Sequence, residues 1–147
     1  MNIAIACDHG GFALKSALIQ HIAPLGHSVH DFGCYSTESV DYSDMAIPAC
    51  EAVANGEYDR GIVICTTGIG VSISANKVCG IRCALCCNTF MAEMTRKHND
   101  TNVLALGAQV VDAELAKQIV TIWLDTPFEG GRHARRIGKI AEYESRR

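Results

Sequence analysis

The chain has 147 residues, of which 48% are hydrophobic, and this is enough for one domain with a buried core over residues 1–147. Its formal net charge of −3 and isoelectric point near 6.0 argue against a nucleic-acid-binding protein, because such proteins carry an excess of basic residues. No apolar run has the length of a membrane span, and no basic leader precedes the first apolar run, so we expect a cytoplasmic protein that does not bind membranes.

Strand-like apolar runs alternate with helical patterns along the chain. The five predicted strands cover residues 2–7, 28–32, 60–65, 81–86 and 102–106. Helical spacing predicts helices from about residue 14 to Pro24, over 46–54, 70–77 and 89–96, around 115–124, and a last basic helix from about Arg132. We expect Pro48 in the first turn of its helix, where a missing N–H costs least.

This alternation predicts an α/β fold with three layers, in which helices cover both faces of a doubly wound, five-stranded parallel sheet. The expected strand order is the Rossmann-like, flavodoxin-like 2-1-3-4-5. Ligands in such sheets bind at the carboxyl ends of the strands, where the winding direction reverses. Polar turns follow strands one and three, so we expect Asp8 and His9 to meet Cys65, Thr67 and Gly68–Gly70 in one crevice.

Cys65 ends a β-branched run and is followed by a Gly/Thr turn that leads into a helix. The free N–H groups and positive dipole end of that helix favour a thiolate and bind developing negative charge. The segment therefore predicts a base or nucleophile with an adjacent oxyanion hole. It is neither a dinucleotide fingerprint nor a P-loop, because Ile73 occupies the third glycine position and no Gly-Lys-Ser/Thr follows.

His98 does not fit this crevice, because it follows the fourth helix and precedes the fifth strand. That position lies at the amino end of the sheet, about 15 Å from the carboxyl end. If His98 acts at the same site, it comes from a second subunit. A two-fold homodimer would supply two such sites, with further pairing into tetramers left open.

The eight cysteines leave two interpretations open. A chain without a secretion signal keeps its thiols reduced, so most of them are expected to pack as small apolar side chains. A zinc or redox site in the cysteine-rich segment around the fourth strand is the alternative, although the spacing there is not that of paired C-x-x-C motifs. The candidates are Cys79, Cys83, Cys86 and Cys87.

Four segments together resemble the type B ribose-5-phosphate isomerases, a family that includes allose-6-phosphate and galactose-6-phosphate isomerases. They are residues 6–12 (ACDHGGF), 65–70 (CTTGIG) with 75–77 (ANK), 96–100 (RKHND) and 129–133 (EGGRH). The resemblance runs from residue 2 to about residue 140. It implies interconversion of a phosphorylated aldose and ketose through an enediolate, without a metal or cofactor.

The resemblance also implies roles for individual residues. Cys65 corresponds to the base that moves a proton between C1 and C2, and Thr67 to a residue that helps protonate or hydrogen-bond the reacting oxygens. Asp8 and His98 resemble the groups that open the furanose ring. The substrate-binding residues that it implies are the anion-hole amides Gly68, Ile69 and Gly70, the phosphate ligands His9, Arg132 and Arg136, and the lining residues Tyr42 and Asn99.

Elementary chemistry agrees with parts of this assignment. Isomerisation needs a base that can return its proton, and a cysteine with a lowered pKa can do so. Arg132 and Arg136 are spaced i, i+4 on one helix, so one phosphate can contact both side chains. Two residues depart from the family pattern. The family often has glycine at the position of Thr66. Gln109 stands where several members carry a phosphate-binding arginine, and the loss of that charge would weaken phosphate binding or mark a different sugar.

The sequence therefore predicts an isomerase of ribose 5-phosphate and ribulose 5-phosphate. An isomerase of a six-carbon sugar phosphate, such as allose 6-phosphate or galactose 6-phosphate, is the first alternative. A non-catalytic phosphosugar-binding module is the second, although binding alone does not need Cys65, Asp8 and His98 as a set.

Overall fold

The computed structural model describes residues 1–146 and forms five strands and six helices over them. The strands are β1 (Asn2–Cys7), β2 (Ser28–Asp31), β3 (Arg60–Cys65), β4 (Cys83–Leu85) and β5 (Val103–Gly107). The helices are α1 (Phe12–Ile22), α2 (Tyr42–Ala54), α3 (Ile69–Ala75), α4 (Thr89–Asn99), α5 (Ala113–Asp125) and α6 (Arg132–Glu144). Within these residues, no helix has the length and apolar character that crossing a membrane requires.

All neighbouring strands are parallel, so the predicted class of fold is confirmed, but the strand order is β2-β1-β3-β5-β4. The predicted order 2-1-3-4-5 is wrong at one edge, because β5 lies beside β3 and β4 is the outer strand. The burial of the two strands explains the difference. All five residues of β5 are buried, as an interior strand requires, whereas the three residues of β4 are half-buried.

Alternate residues of the strands build a separate core on each face of the sheet. On one face, Ile3 and Ile5 of β1 pack with side chains of α1 and α5, including the fully buried Trp123. On the other face, Ala4 and Ala6 pack with side chains of α2 and α3. The small side chains on this second face let α2 lie close to the sheet.

The expected position of Pro48 in a first helical turn is wrong. α2 begins at Tyr42 after the extended residue Asp41, so Pro48 lies inside the helix. A proline there forgoes one backbone hydrogen bond, and the buried Ala46, Ala49 and Val53 of the same helix compensate by packing against the sheet. The earlier start brings Tyr42 to the carboxyl edge of the sheet.

Candidate active site

The turns after β1 and β3 meet at the carboxyl edge of the sheet, because these two strands are neighbours. A Cβ atom on Gly10 would lie 2.3 Å from Oγ1 of Thr66, so the two turns are in direct contact. The Asp8 amide also donates a hydrogen bond to the Ile64 carbonyl at 3.1 Å. The structure thus places the predicted residues of both turns side by side.

Cys65 is the last residue of β3 and is 5% exposed. Its Sγ accepts a hydrogen bond from the Gly68 amide at 3.1 Å, which stabilises negative charge on sulfur. Gly68 has a φ of +78°, and a Cβ there would lie 2.9 Å from the Gly107 nitrogen. Only glycine fits this position, so the hydrogen bond to Cys65 depends on it.

The first turn of α3 directs amide N–H groups away from the helix. Thr67 Oγ1 accepts a hydrogen bond from the Ile69 amide at 3.3 Å, which leaves the hydroxyl proton of Thr67 available to a ligand. Over residues 1–146, the amides of Gly70 and Val71 have no acceptor. Val71 was not predicted, although its place in the first turn of a helix is the signal that points to it.

Asp8 and His9 occupy the turn after β1. Asp8 Oδ1 accepts hydrogen bonds from the Gly10 and Gly11 amides at 2.9 and 3.2 Å, so the carboxylate caps the short helical turn His9–Gly11. The Val40 amide donates to Nδ1 of His9 at 3.2 Å. Because Nδ1 accepts, the neutral ring carries its proton on Nε2 and presents a donor for an anion.

Tyr42 and Gln109 border the Cys65 turn. A Cβ on Gly70 would lie 2.8 Å from the Tyr42 ring, so this ring packs directly against Gly70 at the start of α3. The Gln109 amide donates to the Thr66 carbonyl at 3.0 Å, and the Ala108 amide to the Cys65 carbonyl at 2.9 Å. Gln109 therefore lies beside the site, with an uncharged side chain.

The remaining predicted residues form a second group, near the amino ends of the strands. α4 runs back along the sheet for about 16 Å before it ends at Asn99. There the Arg82 side chain, just before β4, donates to the Asn99 carbonyl at 3.0 Å. The His98 ring stacks on His133 of α6 with a centroid distance of 4.1 Å and an angle of 10° between the planes. Arg132 and Arg136 of α6 also act on His133 through their charges.

One chain therefore separates the predicted residues into a Cys65 half and a His98 half. The Cys65 half contains Asp8, His9, Tyr42, Cys65, Thr67, Gly68, Ile69 and Gly70, and the His98 half contains His98, Asn99, Arg132 and Arg136. A groove of about 450 Å³ between α6 and β4 is lined by Asn99 and not by Cys65.

His98, Glu129 and His133 have potential ligand atoms within 4.8 Å of one another. They do not fit a metal ion well, because the lone pairs of two stacked rings run parallel instead of converging, and two arginines lie nearby. The cysteines around β4 also differ in direction: Cys86 packs on one face of the sheet, Cys83 on the other, and Cys79 is exposed. The described residues thus give no support to a zinc site among them.

Comparisons with known proteins identify the family. Residues 3–140 match the model of the ribose/galactose isomerase family. The chain belongs to this family. The ribose-5-phosphate isomerase B of Escherichia coli strain K12 is 50% identical over 146 residues, which cover 99% of this chain and 98% of that protein.

Two further relatives match nearly the full length of the chain. A D-erythrulose-4-phosphate isomerase from Pectobacterium atrosepticum is 43% identical, and the match covers 98% of this chain and 95% of that one. A solved structure of ribose-5-phosphate isomerase B from Clostridium thermocellum has a TM-score of 0.98 and 54% identity, with 99% of both chains covered. The protein is a sugar-phosphate isomerase, and the resemblance stated from its sequence is confirmed.

Proposed function

We propose that the protein interconverts ribose 5-phosphate and ribulose 5-phosphate by proton transfer at Cys65. The observation that carries this proposal is the pairing of a buried thiol with amide N–H groups at the start of α3. The substrate named for the relatives from E. coli and C. thermocellum supports the five-carbon pair.

In the proposed reaction, the Cys65 thiolate removes the proton from C2 of the open-chain aldose and returns it to C1. Negative charge develops on the oxygens of the enediolate, where the amides of Gly70 and Val71 can donate. The Thr67 hydroxyl exchanges a proton with the reacting oxygens. The aldose and the ketose are isomers, so no electron acceptor is consumed.

Ribose 5-phosphate is cyclic in water, so its ring must open before C2 becomes acidic. We assign ring opening to Asp8 and His98, which accept and donate the protons on the ring hydroxyl and ring oxygen. Nε2 of His9 donates to the phosphate, and Arg132 and Arg136 balance its charge. Tyr42 and Asn99 border the sugar.

The separation of the two halves within one chain supports a homodimer in which each site combines the Cys65 half of one subunit with the His98 half of the other. Exposed apolar side chains flank both halves and support the same assembly: Ile69, Ile73, Phe90 and Val110 beside the Cys65 half, and Ile140 on α6.

A heterodimer of two inactive variants tests the shared site. Cys65→Ala and His98→Ala carry different affinity tags, are co-expressed, and the doubly tagged dimer is purified. One of its two sites combines the intact Cys65 with the intact His98, so we expect about half of the wild-type specific activity. A heterodimer as inactive as both parents contradicts the shared site.

The reaction itself is tested with purified protein in EDTA. We expect ribose 5-phosphate to give ribulose 5-phosphate, with a kcat/KM above those for allose 6-phosphate, galactose 6-phosphate and erythrose 4-phosphate. Cys65→Ala should lower kcat by about 100- to 10,000-fold and still bind the sugar phosphate. Near-normal turnover by this variant would contradict Cys65 as the base, and a higher kcat/KM for another sugar would reassign the substrate.

A further inference from the structure

His133 lies next to the proposed ring-opening residue His98, and neither the sequence motifs nor the proposed mechanism gives it a role. It is the only buried residue of α6, at 6% exposed, and the other residues of that helix are exposed or half-buried. Burial of a polar ring costs free energy unless interactions with its surroundings compensate. The buried position of His133 therefore points to a role in its contacts.

The linker between α5 and α6 fixes His133 in place. The Arg96 side chain donates to the Thr126 carbonyl at 3.4 Å, and the Glu129 amide donates to the Lys97 carbonyl at 3.1 Å. Both contacts hold the linker against the last turn of α4. α6 then begins beside that turn, and its second residue lies over His98.

The two rings are nearly parallel, with 10° between their planes and 4.1 Å between their centroids. This stacked arrangement restricts rotation of the His98 ring about its side-chain bonds. The effect is useful for an acid catalyst, because an ångström of misplacement can cost about 100-fold in rate.

The charges around the pair favour a neutral His133. Burial lowers the pKa of His133, and the nearby charges of His98, Arg132 and Arg136 lower it further, whereas Glu129 at 3.6 Å opposes this. Lys97 of α4 is paired with Glu93 at 2.5 Å. The lowered pKa of His133 favours its neutral form beside His98.

We propose that His133 is a positioning residue, a flat ring stacked on the His98 imidazole that holds it in the orientation for opening the sugar ring. This inference rests on the proposed function, since it assigns His98 to ring opening. It predicts that loss of His133 affects cyclic substrates and spares a substrate that has no ring to open.

The test compares His133→Ala with His133→Phe, which keeps a flat ring without an ionisable group. His30→Ala is the control, because His30 packs against Phe32 and Tyr58 at the β2 edge of the sheet. With ribose 5-phosphate, we expect His133→Ala to lower kcat by about 10- to 100-fold and to change KM by less than about 2-fold. His133→Phe should recover most of the rate and keep the wild-type pH profile of kcat.

Erythrose 4-phosphate supplies the second readout, because the phosphate on O4 prevents closure of a five-membered ring. We expect His133→Ala to turn it over within about 3-fold of the wild-type rate, since no ring-opening proton is needed. If the wild type does not accept this sugar, the comparison of Ala with Phe decides the question alone.

Three results would overturn the inference: equal losses with both sugars, a phenylalanine variant no better than alanine, or loss of one limb of the pH profile in His133→Phe. The first indicates general damage to the site, and the other two indicate that His133 supplies a proton itself. A wild-type protein inactive on every sugar phosphate would instead contradict the proposed function.

Discussion

The ring of Tyr42, at the start of α2, packs so closely on Gly70 that a Cβ there would lie 2.8 Å from it. The contact joins the start of one helix to the amides at the start of another. Because Tyr42 is 45% exposed, an added methyl group on Gly70 can push its ring aside, but the displaced ring then disturbs the border of the Cys65 turn.

Gly70→Ala should therefore reduce activity more than stability. We expect kcat/KM to fall by about 10- to 100-fold, because one displaced oxyanion donor has an effect of this size or larger. Steady-state kinetics and thermal unfolding would measure the two effects. Gly138→Ala is the matched control: Gly138 lies in α6 with open space around it, and alanine there should stabilise the helix by about 0.5–1 kcal/mol.

Alkylation should report on Cys65 once the more accessible thiols have been removed. Burial raises the pKa of Cys7, Cys50 and Cys86 to about 12, so at pH 8 these thiols stay protonated and react slowly. Cys79 is exposed and Cys87 is half-buried. In the Cys79→Ser, Cys87→Ser double variant we expect iodoacetamide to abolish isomerase activity as Cys65, whose Sγ accepts the Gly68 hydrogen bond, is modified.

Mass spectrometry of the labelled protein identifies the modified cysteine, and ribose 5-phosphate should slow the loss by covering the thiol. Full activity after complete labelling of Cys65 would be incompatible with its role as the base.

Asp100 should matter for the stability of the His98 half. It ends α4 with a φ of +45°, and its carboxylate oxygens bind Arg96 at 2.9 Å and Arg82 at 3.2 Å. Asparagine tolerates this backbone conformation and loses only the carboxylate charge, whereas alanine loses the charge and also tolerates this conformation poorly. We expect Asp100→Ala to lower the free energy of unfolding by about 1–3 kcal/mol, with Asp100→Asn in between.

Chemical denaturation of the three proteins would give this ranking. If the asparagine and alanine variants were equally stable, the left-handed backbone of Asp100 would carry no cost, and only its ion pairs would contribute to stability.

The lowered pKa of His133 predicts how stability depends on pH. The folded protein binds this proton less well than the unfolded chain does, so the unfolded state gains protons first as the pH falls through the ordinary histidine range near 6.5. His133 thus makes the fold less stable in acid. We expect His133→Phe to lose less in melting temperature between pH 7.5 and pH 5.5 than the wild type does, and an equal or larger loss would contradict the neutral ring.

The sequence predicted the local parts of this molecule better than the contacts between distant segments. The bounds of β1 and β3 and the turn after Cys65 follow from short-range patterns. The place of β4 did not, because strand order depends on which strand is covered on both faces. The start of α2 at Tyr42 was missed because Pro48 suggested a later start, and the stacking of His133 was missed because it depends on the path of a linker.

The contact between Gly10 and Thr66 constrains the order in which this sequence can change. Alanine at position 10 collides with the Thr66 hydroxyl at 2.3 Å, whereas the same alanine after Thr66→Gly no longer meets that atom. Gly10→Ala is therefore damaging when Thr66 is present and tolerable once Thr66→Gly has occurred. Natural variation at these two positions should be correlated, and libraries that randomise them separately will miss their accepted combinations.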